Sequence, residues 1–182
     1  MEAHKILDSK IIELRRQIGA IDGTAKKEVV RFSGYEAGFP KSAVVEIAGS
    51  GKTELVAQFL SEHPELRVAW IESELSVFPL ALMQRKVAMG RVLFVEGGAD
   101  CLWTAQQVLQ SQLFHVVVLS HLPVDERILR KLQLATEKSG AMVLSLNPNL
   151  SSTWVSSLQI EVSRLPAVQG LLVKTKRQRG LL

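Results

Sequence analysis

Short apolar runs alternate along this chain with segments whose apolar residues recur every three or four positions, the patterns that mark buried strands and amphipathic helices. Residues 43–48, 67–74, 91–96, 115–120 and 141–146 are runs of the first kind. Between them, residues 52–63, 79–89, 100–110 and 124–138 read as helices. The first ends at His63-Pro64, because the residue before proline is disfavoured in helix. Asp100 stands where it would cap the third, and the fourth carries Ile128, Leu129, Leu132 and Ala135 and stops at Ser139-Gly140. Strand alternating with helix predicts a parallel sheet with right-handed crossovers. Two further runs with partial alternation, 157–164 and 170–176, predict an antiparallel pair added to it.

Ahead of these elements, Leu7, Ile11, Leu14, Ile18 and Ile21 follow one another at spacings of four and three, the narrow seam of an amphipathic helix over residues 4–21. A polar linker, 22–28, separates it from the rest. The chain therefore divides into an N-terminal helix and linker, 1–24, and one core domain, 25–182. The seam can dock on another protomer or a partner, or fold back onto its own domain. Gly34, Gly38 and Pro40 predict a loop that delivers the chain to the strand at 43–48.

A length of 182 residues and 47% apolar content suit a single α/β domain with a sizeable core. Cys101 is the only cysteine and cannot form an intrachain disulfide, and the N-terminus lacks the apolar stretch of a signal peptide, so a reducing cytoplasm is the expected location. Cys101 itself reads as a buried, unreactive thiol. No apolar run has membrane-spanning length. The net charge of +4 is unevenly placed, since residues 162–182 hold five bases (Arg164, Lys174, Lys176, Arg177 and Arg179) and no acid. That segment offers a contact for nucleic acid or an acidic partner, or is a solvated tail.

The candidate chemistry begins at the end of the first run, in Ala48-Gly49-Ser50-Gly51-Lys52-Thr53. A phosphate-binding loop presents backbone N–H groups and a helix N-terminus to phosphates, with its Lys on the outer phosphates and its Thr on Mg²⁺. That motif needs four residues between its first Gly and the Gly-Lys-Thr, whereas Gly49 and Gly51 enclose Ser50 alone and Glu46 stands where the first Gly belongs. The deficit removes about 10 Å of chain that would wrap a phosphate. A second departure lies at the end of run 115–120, where an acid for the metal shell is expected and Ser120-His121 stand instead. Near Asn147-Pro148, where a polar sensor is expected, Pro148 offers no N–H. Acids do survive at the carboxyl end of run 67–74, as Glu72 and Glu74.

The order of pieces resembles the RecA-like ATPase core, with Val45-Glu46-Ile47 like the strand entering the phosphate loop and Trp70-Ile71-Glu72-Ser73-Glu74 like the strand whose last acid activates water. By that resemblance Glu74 is the vestigial catalytic acid, with Glu72 the alternative. The likeness is closer to the ImuA family, RecA-related accessory proteins of damage-induced (SOS) mutagenesis. It is carried by Glu13-Leu14-Arg15-Arg16-Gln17-Ile18, Ala99-Asp100-Cys101-Leu102-Trp103-Thr104-Ala105, residues 129–141 and residues 172–180. The resemblance implies a RecA-like fold and an adaptor role in bacterial DNA-damage tolerance and translesion synthesis. The implied partners are RecA and an error-prone polymerase complex.

Three functions follow. The first is a catalytically inactive adaptor with no cofactor, whose partner helix presents Leu7, Ile11, Leu14 and Ile18. The second is a weak ATPase in which Gly49, Ser50, Gly51, Lys52 and Thr53 still bind Mg·ATP. The third is a non-specific DNA-binding module using Lys174, Lys176, Arg177 and Arg179.

Overall fold

The computed structural model describes residues 27–120, 125–165 and 170–179. The expected N-terminal helix with Leu7, Ile11, Leu14 and Ile18 lies outside the described residues, as does His121.

The chain is a mixed α/β protein whose central sheet is mostly parallel. In chain order, a hairpin of β1 (Val29–Phe32) and β2 (Tyr35–Pro40) precedes β3 (Val44–Ala48) and α1 (Lys52–Glu62). There follow β4 (Val68–Glu72), α2 (Pro79–Gln84), β5 (Val92–Glu96), α3 (Cys101–Ser111) and β6 (Val116–Ser120). The chain closes with α4 (Glu126–Ser139), β7 (Met142–Asn147), β8 (Leu158–Leu165) and β9 (Gly170–Gln178). The seven-stranded sheet has the order β5-β4-β6-β7-β3-β8-β9. Every neighbouring pair is parallel except β8 and β9, the expected antiparallel pair.

Strand side chains alternate between the two faces of a sheet, and each face has its own core. Val45, Ile47, Trp70, Val118, Leu144 and Ile160 meet Leu55, Val56 and Phe59 of α1 on one face. Val44, Ile71, Val117, Leu119 and Val143 meet Ala105 and Leu109 of α3 and Leu129 and Leu132 of α4 on the other. Both faces are covered, so the central strands read as continuous apolar runs.

Two expectations need correction. The stretch punctuated by Gly34, Gly38 and Pro40 is not a loop but the β1–β2 hairpin, in which Phe32 pairs with Tyr35 across Ser33-Gly34. Its stability comes from distant packing, because the rings of Phe32 and Phe39 close on Phe59 of α1 with centroids 5.2 and 4.9 Å away. Ser33 then latches the turn by donating from its amide to Glu62 at 2.8 Å. Hydrogen bonds from Ser33 hold the Glu62 carboxyl below its ordinary value. The helix expected over 79–89 ends at Gln84, since Lys86 takes a left-handed conformation (φ 64°) that turns Val87 back into the core.

At the ends of the later helices, Asp125 caps α4 by accepting from the Arg127 amide at 2.7 Å. Asp100 occupies the capping position of α3 without making a side-chain cap. The Cys101 thiol is buried, as expected, and burial pushes its pKa up. No helix among the described residues is long and apolar enough to cross a membrane.

Phe59 is fully buried beneath the hairpin, so Phe59→Ala should cost about 3–5 kcal/mol in urea unfolding. Trp103, 61% exposed, should change stability by less than about 0.5 kcal/mol when replaced by Ala. Equal losses from the two would contradict this division of the core.

Candidate functional site

Ligand crevices of open α/β sheets lie beyond the carboxyl ends of the strands. Here β3, β4 and β6 end around a cavity of about 380 Å³, lined by Lys52, Thr53 and Glu54 of α1, Glu72, Ser76, Ser120, Arg85 and Arg164. The structure therefore brings Lys52 and Thr53 together with an acid and with the end of β6.

The glycine turn is closed onto the sheet. Past Ala48, which pairs with Glu161, the chain keeps following β8, and the Gly51 amide donates to the Val162 carbonyl at 3.2 Å. The Arg164 amide donates to the Ser50 hydroxyl at 3.3 Å. Gly49 has φ 101°, and a Cβ there would overlap the Val162 carbonyl oxygen. A Cβ on Gly51 would lie 2.7 Å from Leu171 and 2.8 Å from Val162 Cγ1. With three residues fewer than the phosphate motif requires, the turn cannot arch away from β8 to form a cradle.

Charge at the helix entrance is also satisfied from within. Glu54, in the first turn of α1, accepts from Arg85 at 2.7 Å and from Arg164 at 3.0 Å. A carboxylate there complements the helix dipole and stands where an anionic ligand would sit. Neither Glu54 nor Arg85 was singled out by motif, although an acid in a first helical turn is a readable signal.

The acid in the cavity is Glu72, not Glu74. Glu72 is 3% exposed and ends β4, whereas Glu74 lies in the exposed turn beyond it. Its Oε1 accepts from the Trp70 indole and the Ser120 hydroxyl, both at 2.9 Å. Its Oε2 accepts from the amides of Ser76 and Val77 at 2.5 and 3.1 Å and from the Ser76 hydroxyl at 2.9 Å. Burial alone would raise its pKa, but these bonds outweigh it and hold the carboxyl below its ordinary value. The group is an anchored anion with its lone pairs engaged, so it is a poor base. Ser120 is spent on the same carboxylate.

Asn147 follows Val143 and Ser145 in the strand alternation, which puts it on the α3 and α4 face, opposite Glu72 and Ser120. It donates to Ser145 at 3.1 Å and does not line the cavity. Glu46 lies on that same face, fully buried in the central strand. It accepts from the Ser151 amide at 2.9 Å, the Ser151 hydroxyl at 2.7 Å and the Gln159 amide at 3.0 Å. An acid inside an apolar run was the only sequence sign of this cluster.

The residues do not fit a Mg-nucleotide. The amide of Gly51 is taken, Glu54 brings negative charge to the helix entrance, and β6 ends in a hydroxyl bonded to Glu72. Three of the basic residues on and just past β9 are likewise engaged. Lys176 pairs with Glu161 at 2.9 Å, Arg177 donates to the Thr153 carbonyl, and Arg179 donates to the Trp154 carbonyl at 2.7 Å. Arg130 and Arg179 lie 4.9 and 5.1 Å from the Trp154 ring centroid. Lys174 remains exposed on the strand. No family model matches the chain, and no curated protein matches it at a significant level.

Glu72→Gln keeps the shape but puts an amide N–H₂ among donors, and should cost about 1–3 kcal/mol at neutral pH. A lowered folded pKa stabilises the protein fully above the ordinary glutamate value of about 4.3, and this stabilisation fades as pH falls through the lowered one. The stability gap between wild type and Glu72→Gln in urea titrations should therefore narrow below about pH 4. A gap constant between neutral and acid pH would contradict the role assigned to the charge.

Proposed function

We propose that this chain is a non-hydrolysing RecA-like protein that acts as an adaptor in bacterial DNA-damage tolerance, as its resemblance to the ImuA family implies. The reading rests on one observation above the others: the amide of Gly51, which a phosphate loop must keep for its ligand, is bonded to the Val162 carbonyl. Phosphoryl transfer depends on metal neutralisation and positioning, and an adaptor has no need to keep either. The mostly parallel sheet with its appended antiparallel strand supports the RecA-like part of the proposal. The partners, RecA or an error-prone polymerase complex, rest on the resemblance alone.

An adaptor needs a contact surface, and the segment beside the cavity offers one. Leu75, Phe78, Leu80 and Met83 are 42, 64, 47 and 57% exposed within nine residues of chain. Apolar groups this closely spaced on a surface mark protein contacts. The ATPase reading would need the turn to leave β8, and the DNA reading would need Arg177 and Arg179 to leave their carbonyls.

Titration with Mg·ATP and Mg·ADP, with Lys52→Ala alongside, should show no Lys52-dependent binding up to millimolar nucleotide. Micromolar binding that disappears in the mutant would replace the adaptor by a nucleotide-binding protein. In the same preparation, association with purified RecA or polymerase complex should weaken about tenfold or more in Phe78→Ser/Met83→Ser, the loss of about 1.4 kcal/mol. An absence of association with either would remove the damage-tolerance role.

A further inference from the structure

A second concavity of about 440 Å³ lies between the end of α3 and the later turns of α4, on the sheet face opposite the first cavity. Its lining is mostly polar and includes no acid, with Gln106, Gln110 and Gln112 on one wall and Lys131 and Lys138 on the other. α3 itself, Cys101–Ser111, holds no charged residue.

The two lysines belong to a longer row. Residues 127, 131 and 138, at separations of four and seven, fall on one face of α4, and all three are exposed cations. The acids of this helix lie elsewhere and are engaged, Glu126 with Arg130 at 2.8 Å and Glu137 with Lys27 at 3.6 Å. Among the described residues, no acid lies within ion-pairing distance of Arg127, Lys131 or Lys138. Lys138 suits the last turn of α4, but Arg127 in the first turn runs against the helix dipole. Helix stability alone therefore does not account for the row.

Two observations select the partner. Leu134 stands between the two lysines and is 59% exposed, and Leu113, just past the end of α3, is 55% exposed. No aromatic side chain lines the concavity, so nucleic-acid bases have nothing there to stack on. Apolar groups set among cations match an amphipathic helix with acidic flanks. Lys131 and Lys138 are separated by about 10 Å along the helix axis, the rise between carboxylates seven residues apart on such a partner.

We propose that the face formed by α3 and α4 docks an acidic amphipathic helix of another protein, with carboxylates on Lys131 and Lys138, apolar side chains on Leu134, and a further acid on Arg127. The site goes beyond the adaptor reading and stands without it. It lies across the sheet from the apolar segment at 75–83, so both surfaces can be occupied at once.

Fluorescence anisotropy with the full chain and three labelled probes tests this. The probes are a synthetic helical peptide with a leucine stripe flanked by glutamates, the same peptide with lysines for glutamates, and a single-stranded oligonucleotide. The acidic peptide should bind, weaken as salt is raised, and perturb the amide resonances of α4 and the end of α3. Lys131→Glu/Lys138→Glu should weaken it about tenfold or more while leaving the urea midpoint unchanged, and should gain affinity for the lysine peptide. That exchange of preference would also show the variant to be folded. No binding of the acidic peptide, or binding indifferent to the double reversal, would overturn the proposal. Tighter binding of the oligonucleotide at the same residues would assign the face to nucleic acid instead. Resonances there that shift with protein concentration alone would assign it to a second copy of this chain.

Discussion

A buried carboxylate in the central strand sets the terms for the structure around it. β3 is hydrogen-bonded on both edges and covered on both faces, and Glu46 sits in its middle with no access to water. An unsatisfied charge there would cost several kcal/mol. Its donors are Ser151 and Gln159, so the connection from β7 to β8 must cross this face at Ser151 and β8 must take the register that places Gln159 beside β3. That register carries Val162 opposite the glycine turn. The closed turn at Gly51 thus follows from the way β8 is pinned, as well as from the short loop.

A second regularity is that several charges near the cavity and at the end of β9 are answered from within the molecule. Glu54 is held by two arginines, Glu72 by hydroxyl, indole and amide donors, and Arg177 and Arg179, at and just past the end of β9, by carbonyls of the chain that covers Glu46. Each of these groups would draw a ligand if left open. Engaged as they are, they hold strand ends and crossings in place.

Much of the architecture was legible because burial repeats along the chain. Val116-Val117-Val118-Leu119 can only be a strand covered on both faces, and Leu129, Leu132 and Thr136 mark the buried side of α4. The β1–β2 hairpin was missed because its two glycines and proline outweigh a short alternation, and the Phe59 ring that stabilises it lies well outside any local window. The early end of α2 was missed for a similar reason: the left-handed Lys86 is favoured by the place it gives Val87 in the core, not by its own propensity.

At the site, the sequence by itself determined the order of strands and helices, the shortened glycine turn and the absence of an acid after β6. These are facts of spacing and residue type. The tertiary structure decided which acid enters the cavity, which face Asn147 takes and where the basic side chains go. Glu72 and Glu74 have the same parity in the strand, so alternation cannot separate them. The choice is made where β4 stops, and it stops where the Glu72 carboxylate gathers the amides of Ser76 and Val77 and the Gly97 amide bonds the Glu72 carbonyl. Periodicity is a property of near neighbours, whereas the end of a strand and the partner of a carbonyl are set by residues brought together only by folding.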